Sequence, residues 1–432
     1  MKKLHYFLSI LILLSLIVAA CVADRNDDDA ATADDDGTPD DDHDDATDDD
    51  STDDDAVDDD STIADDDDSI DDDTPTVDDD STPVFYRITD VEVEDYITYR
   101  LMNRWFPGWT GDLWPCAWGE DDRLYTVNGD GFGFGPLFSD IVFNIVDGYP
   151  PDLEGSRPPH AYGRHIAGLW GPNKWEVNRK PTGLVCVDGI IYLFYQNLKN
   201  GWSDNPFGDA PHASISVTRD HGLTWEYEAA EPMFTDHIFT TGFFLDYGKC
   251  QENAMDNYVY VYGLDYNWRF SEGFSQTKMY LARVDHEYIT DRSQWEFVIG
   301  FIGDQPLWSE DIDLKYPVLE DDTLYHDEKS GIAQGSVIYI PQLNRYLYST
   351  RAVYEWIFYE AAEPWGPWTK VSVIEWTGGW TEDFHAGYNA VIPTKFLAAD
   401  GRSGWIVSSL STSYFDSMYY NMGFRQFWLT VE

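Results

Sequence analysis

Thr218-Arg219-Asp220-His221-Gly222-Leu223-Thr224-Trp225 fits the pattern Ser/Thr-x-Asp-x-Gly-x-Thr-Trp, the Asp-box turn between the outer strands of β-propeller blades. Each fixed residue has a physical task. The Asp carboxylate bonds backbone groups of the turn, Gly supplies a dihedral other residues resist, and Trp packs between blades. The motif occurs once clearly, and its role is structural, so Asp220 is not assigned to chemistry.

Working outward, the turn joins two strand-like runs, 213–218 and 224–227, preceded by 190–196 and by the opening Lys180-Pro181-Thr182-Gly183-Leu184-Val185. The same order recurs along the chain: a polar, Gly-containing opening, an aromatic strand, then further strands. An earlier unit opens at Asp112, followed by 123–128 and 141–146. Later units open at Thr240-Thr241-Gly242, at Gln334-Gly335-Ser336 and at His385-Ala386-Gly387-Tyr388-Asn389. Residues 83–432 are rich in Tyr, Trp, Phe, Val and Ile, in short runs broken by Gly, Asn and Asp, which marks an all-β chain. Some 350 residues exceed one simple core. Five openings at about 70 residues each predict a five-bladed β-propeller with long loops, and six blades remain open.

The N-terminal region reads differently. Met1-Lys2-Lys3 is basic, 7–20 is almost wholly apolar, and small residues lead to Cys21. This is the pattern of a lipoprotein signal (1–20) with lipid on the Cys21 thiol, and it is short for a membrane span. Anchoring in the cell envelope follows, with the outer membrane or cell surface of a Gram-negative cell favoured because no Asp follows Cys21 directly. Residues 24–82 hold 31 Asp and no aromatic residue. Such a segment cannot offset its ordering entropy by burial, so 21–82 is expected to be a disordered tether, up to ~200 Å when extended. Its Asp triplets lack the Gly and bidentate Glu of a calcium loop.

Removing Lys2, Lys3, Arg25 and those 31 Asp from 27 basic and 80 acidic residues leaves 24 and 49, a net charge near −25 for the domain. Nucleic acid and anionic polymers are poor partners for such a surface, whereas a neutral polysaccharide is compatible with it. Cys116, Cys186 and Cys250 allow one disulfide and one free thiol, or three buried thiols. Buried structural cysteine is the default expectation.

In a propeller, polar residues opening the innermost strands face the channel mouth. These are Asp112, Lys180, Thr241, Gln334, His385 and Asn389, with Asp130 nearby in the turn of Gly129-Asp130-Gly131. Glycosidic cleavage normally takes two carboxyl groups, and Asp112 with Asp130 are the best-placed pair, although a Gly-Asp-Gly turn also needs its Asp for geometry alone. Lys180 can steady a carboxylate, and His385 can orient one or bond a hydroxyl. Trp114, Trp118, Trp170 and Trp202 are candidates for sugar stacking, or for burial between blades. Asp311 and Asp313 form an acidic loop cluster. A metal is not required by this chemistry, and structural calcium in the channel stays open.

Gly111-Asp112-Leu113 and the run 124–131, ending Gly129-Asp130-Gly131, resemble the opening of the bacterial family called domain of unknown function 4185. That family overlaps the endo-D-arabinanases of glycoside hydrolase family 183, near five-bladed furanosidases. Its opening carries an Asp ahead of the first strand and Gly-Asp-Thr after the second; here Gly131 stands in place of Thr. The resemblance implies that Asp112 and Asp130 are the catalytic pair; Trp114, Trp118, Lys180, Gln334, His385 and Asn389 are substrate-binding candidates on their own residue types and places in the sequence. The expectation is a monomeric, surface-anchored glycoside hydrolase acting on an arabinan-like polymer without a required cofactor. A non-catalytic glycan-binding propeller is the first alternative. A sialidase-like enzyme is the second, for which the blade openings offer no set of three arginines.

Overall fold

Five antiparallel groups of strands make up the part of the chain visible in the computed structural model, which describes residues 86–95, 97–201, 203, 208–267, 276–324, 331–351, 355–375, 388–410 and 420–432. Among these residues there is no α-helix, only short 3-10 turns. The expected signal, Cys21 and acidic tether lie outside the described residues, as do Trp202 and His385.

The first group is Asp112–Trp118, Leu124–Gly131, Ser139–Tyr149 and Asp152–Ser156; the second is Val177–Val187, Ile190–Lys199 and His212–Thr218. The third runs from Thr241–Asp246 through Tyr258–Leu264, Lys278–Asp285 and Glu296–Ile302 to Gln305–Ser309. The fourth is Ser336–Ile340, Arg345–Arg351, Glu355–Ala361 and Thr369–Glu375, and it joins the third by parallel pairing of Leu245 and Asp246 with Val337 and Ile338. The fifth is Tyr388–Val391, Ser403–Leu410 and Asn421–Val431.

First strands are buried along nearly their whole length, as in Ser336–Ile340, because they are packed on both faces. The last strands of the first and fourth groups, Asp152–Ser156 and Thr369–Glu375, are partly exposed. The apolar residues form five clusters, each holding two successive groups together. Phe143, Trp170 and Tyr195 lie between the first and second, and Phe194, Phe234 and Trp295 between the second and third. Phe243, Tyr262 and Tyr348 join the third to the fourth, and Ile338, Trp356 and Phe427 the fourth to the fifth. Trp114, Phe134 and Phe424 then join the fifth back to the first. The curled sheets therefore close on themselves.

Two strands at the start of the domain, Ile88–Val93 and Tyr99–Leu101, stand outside the repeat, and both pair antiparallel with Asn421–Val431. The start of the domain therefore supplies the outer strands of its last group. That pairing spans the whole domain, and no local pattern in 88–93 announces it.

The Asp-box has the geometry its chemistry requires. Asp220 Oδ1 accepts from Thr218 Oγ1 (2.9 Å) and Thr224 N (2.8 Å), and Oδ2 accepts from Thr224 Oγ1 (2.5 Å). Gly222 has φ +90°, and a Cβ there would lie 2.3 Å from the Phe143 ring of the first group. Trp225 packs edge-on against that same ring at 5.0 Å. Residues 224–227 form a single bridge, Glu226 to Val217, in place of the expected strand. Asp220→Ala is expected to cost about 2 kcal/mol in urea denaturation while leaving any activity unchanged.

Cys186 and Cys250 form a disulfide, and Cys116 is a buried thiol whose burial pushes its pKa up to about 12. Of the two cysteine arrangements open at the outset, the structure has one disulfide and one free thiol. With 64 residues between its ends, replacing both disulfide cysteines by Ala is expected to lower stability by about 2–4 kcal/mol, read as a lower thermal midpoint.

Candidate active site

The polar openings of the first strands converge on one cluster centred on Asp112. The strand that carries it is irregular: Leu113 (φ +76°) and Trp114 (φ +56°) are left-handed, and the pairing register with Leu124–Gly131 shifts between Leu113 and Cys116. Non-glycine residues resist such dihedrals, so the surroundings must hold them. The fifth group does so. Ser409 Oγ accepts from Leu113 N at 2.9 Å, and Asn389 Nδ2 donates to Leu113 O at 3.1 Å.

Asp112 is buried, and its Oδ1 has no hydrogen-bond partner among the described residues. Opposite it is Gly129, where a Cβ would lie 2.5 Å from Asp112 Oδ1 and 3.0 Å from Lys180 Cδ. Glycine is what lets the carboxyl and the lysine stem approach each other. Burial, then the nearby Asp130 charge, raise the Asp112 pKa from 3.8 to about 7, against the pull of Lys180 and Arg351. Buried polar atoms without partners are uncommon in folded proteins, and a functional site is one of their explanations.

Asp130 sits at φ +37° with its side chain about one-third exposed, and its Oδ1 accepts from the buried Lys180 ammonium. Burial works against the charge of Lys180, but Asp130, Asp112 and Asp140 together hold its pKa above 10.5. Asp140 is buried too. Burial opposes its charge, yet Arg179, Lys180 and the Arg179 backbone N–H hold its carboxyl below the usual range. Its Oδ2 lies 3.4 Å from Arg179 Nη1. The site thus combines a carboxyl biased toward its protonated form, a carboxylate in an ion pair, and a lysine that touches the second and bears on the first.

The other anticipated residues separate into distinct places. Gln334 Nε2 donates to Pro181 O at 3.1 Å, so it and Asn389 brace neighbouring backbone at the convergence. Thr241 Oγ1 donates to Gln196 Oε1 at 2.7 Å, within the same set of strand openings. Trp114 is fully buried, with its indole N–H on Gly111 O and its ring against Phe134, so it is a core residue and not a stacking platform. Trp118 ends the strand that Asp112 begins, ~20 Å away at strand spacing, and bonds Asp122 there. It does not share the site. Trp170 is buried against Tyr195. Asp311 caps the turn at Asp313.

Asp140, Arg179 and Arg351 were not singled out from the sequence. Arg179 and Asp140 pair buried beside Lys180, and Arg351 bears on Asp112 through its charge. The signals were a third polar residue in the opening Asn178-Arg179-Lys180 and the Ser139-Asp140 pair ahead of an apolar run. Among the described residues, no group of three or more His, Cys, Asp or Glu side chains is arranged to hold a metal ion.

The family model described as domain of unknown function (DUF4185) matches residues 87–422, which includes every residue of this cluster. The chain belongs to the DUF4185 family. Among curated proteins, none matches its sequence significantly. Solved structures similar to this DUF4185 chain include an α-L-arabinofuranosidase from Podospora anserina in complex with cellotriose, at 12% identity and TM-score 0.40, covering 79% of this chain and 97% of that one. A GH43_1 enzyme from Xanthomonas citri complexed with xylotriose is similar at 14% identity and TM-score 0.42, covering 77% and 90%. A GH43 β-xylosidase/α-arabinofuranosidase from a compost microbial metagenome, with xylotriose, is similar at 12% and 0.43, covering 80% and 94%. Likeness of this size carries no argument about chemistry, which rests on the cluster itself.

Proposed function

We propose that this DUF4185 domain is a five-bladed propeller acting as a glycoside hydrolase on a neutral, furanosidic, arabinan-like polysaccharide. The observation that carries the reading is the buried Asp112 carboxyl, raised to about 7, beside Asp130 in its ion pair with Lys180. Glycosidic cleavage needs one carboxyl that gives a proton to the leaving oxygen and one that stays ionised as base or nucleophile. Asp112 fills the first role and Asp130 the second. Lys180 keeps the pair from being two like charges facing each other without a counterion. The acidity of the domain favours an uncharged polymer. Cys21 and the acidic segment after it would hold the enzyme at the cell envelope.

A non-catalytic glycan-binding propeller is the second reading, favoured by the low exposure of Asp112. A sialidase-like reading has less support. Of the arginines near the cluster, Arg179 is committed to Asp140 and to Ala167 O. Incubation with arabinan and other neutral furanosidic polysaccharides separates the first two readings. New reducing ends support the hydrolase, and retention of polymer with no new ends over long incubation supports the binding module.

A further inference from the structure

A cavity of about 650 Å³ opens on the first group, along its outer strand Asp152–Ser156 and the segment that follows Asp130, lined by Met102, Trp105, Leu137, Arg157, His160 and Tyr162 among others. Its size lies within the ~300–1,000 Å³ usual for small-molecule sites. Met102 (53% exposed), Trp105 (43%) and Leu137 (50%) present apolar surface to solvent there, which lone surface residues do not usually do together.

The cavity is built onto the segment that follows Asp130. Asn103 Nδ2 donates to Gly133 O (2.6 Å) and Gly135 O (2.7 Å), while its Oδ1 accepts from Trp105 N (2.7 Å) and Phe106 N (2.9 Å). Phe106 stacks on Phe132 at 3.9 Å. Phe132 N and Gly133 N in turn donate to Trp109 O and Thr110 O, just ahead of Asp112. Trp105 is therefore tied through one buried asparagine to the loop that follows the Asp130 strand, and that loop in turn bonds the residues just ahead of Asp112.

We propose that this cavity is an auxiliary subsite for a neutral polysaccharide, holding a stretch of the chain whose neighbouring residues enter the Asp112–Asp130 centre. Two features select an uncharged glycan. The Arg157 guanidinium donates to Phe132 O and Leu137 O, and the Arg104 guanidinium lies 3.8 Å over the Trp105 ring, so both cations have work within the protein. The domain charge near −25 opposes anionic polymers. With Arg104 over one face, the exposed remainder of the Trp105 indole and the apolar surface beside it suit a sugar ring, whose C–H face packs there while its hydroxyls bond the rim. The inference rests on the glycosidase reading for the identity of the ligand.

The test uses the full chain in native gels containing each of several neutral polysaccharides, arabinan among them, with Asp112→Asn as background so that polymer stays intact. At least one polymer is expected to retard the protein. Trp105→Ala is expected to weaken that retardation about tenfold, and Leu137→Asp to weaken it as well, with Trp428→Ala, an exposed Trp outside the cavity, unchanged. Thermal midpoints confirm that each variant folds. In the catalytic background, Trp105→Ala is expected to raise KM on polymer with kcat kept on short oligosaccharides. Unaltered retardation and KM in both cavity variants would overturn the subsite while leaving the glycosidase reading in place. Polymer that is neither retained nor cut would overturn both.

Discussion

Asp112→Asn is expected to lower turnover on any glycan the wild type cleaves by about 10³-fold or more, and at pH 8 to leave the thermal midpoint equal or higher. The two effects share one cause. The folded protein holds Asp112 at about 7 where an exposed Asp would sit at 3.8, chiefly by burial. Because the folded pKa is the higher one, the folded state keeps a proton between about pH 4 and 7 that the unfolded chain releases. Stability therefore falls as pH rises through that window. At ~1.4 kcal/mol per pH unit, the charged carboxyl costs the fold up to about 4 kcal/mol above pH 7. Asparagine keeps the shape and removes the charge, so the variant gains stability at pH 8 and little at pH 4. A carboxylate placed for structure alone would show the opposite: a lower midpoint at pH 8 with turnover intact.

Lys180→Met is expected to destabilise the domain by about 3–5 kcal/mol at pH 7 and to abolish turnover, because Asp130, Asp112 and Asp140 lose the cation that bears on all three. Lys180 has a folded pKa above its ordinary 10.5, so its contribution is fully present below that value and lost only as pH climbs through the raised folded one. Neutral pH is thus where its removal is felt in full. Lowering the pH toward 4 protonates Asp112, one of the charges that Lys180 offsets, and the deficit should shrink in urea denaturation. A deficit that does not change between pH 7 and pH 4 would mean that Lys180 acts through its packed stem and not through its charge.

Much of this fold was legible because propeller-like units repeat. Asp112 and Thr241 begin inner strands, Gln334 stands just before one, Lys180 and Asn389 lie within theirs, and the Asp-box bonds as its residue types require. What escaped was non-local. The pairing of 88–93 with 421–431 depends on the two ends of the domain meeting, which a local window cannot register. The tryptophans misled for a different reason. Trp114 beside Asp112 looked like a stacking platform, but the left-handed backbone at Leu113 and Trp114 turns its ring into the core between the fifth and first groups. Asp140 and Arg179 escaped because a buried ion pair between adjacent groups is made only when the sheets pack. Cys186 and Cys250 met for the same reason, 64 residues apart.

The pH dependence of reducing-end release from a neutral furanosidic polysaccharide tests the central claim most directly. If Asp112 is the proton donor, kcat/KM holds below neutrality and falls as pH rises through about 7, where burial and the Asp130 charge place its titration. Release that continues undiminished to pH 9, or no release at any pH from a polymer the protein binds, would contradict it.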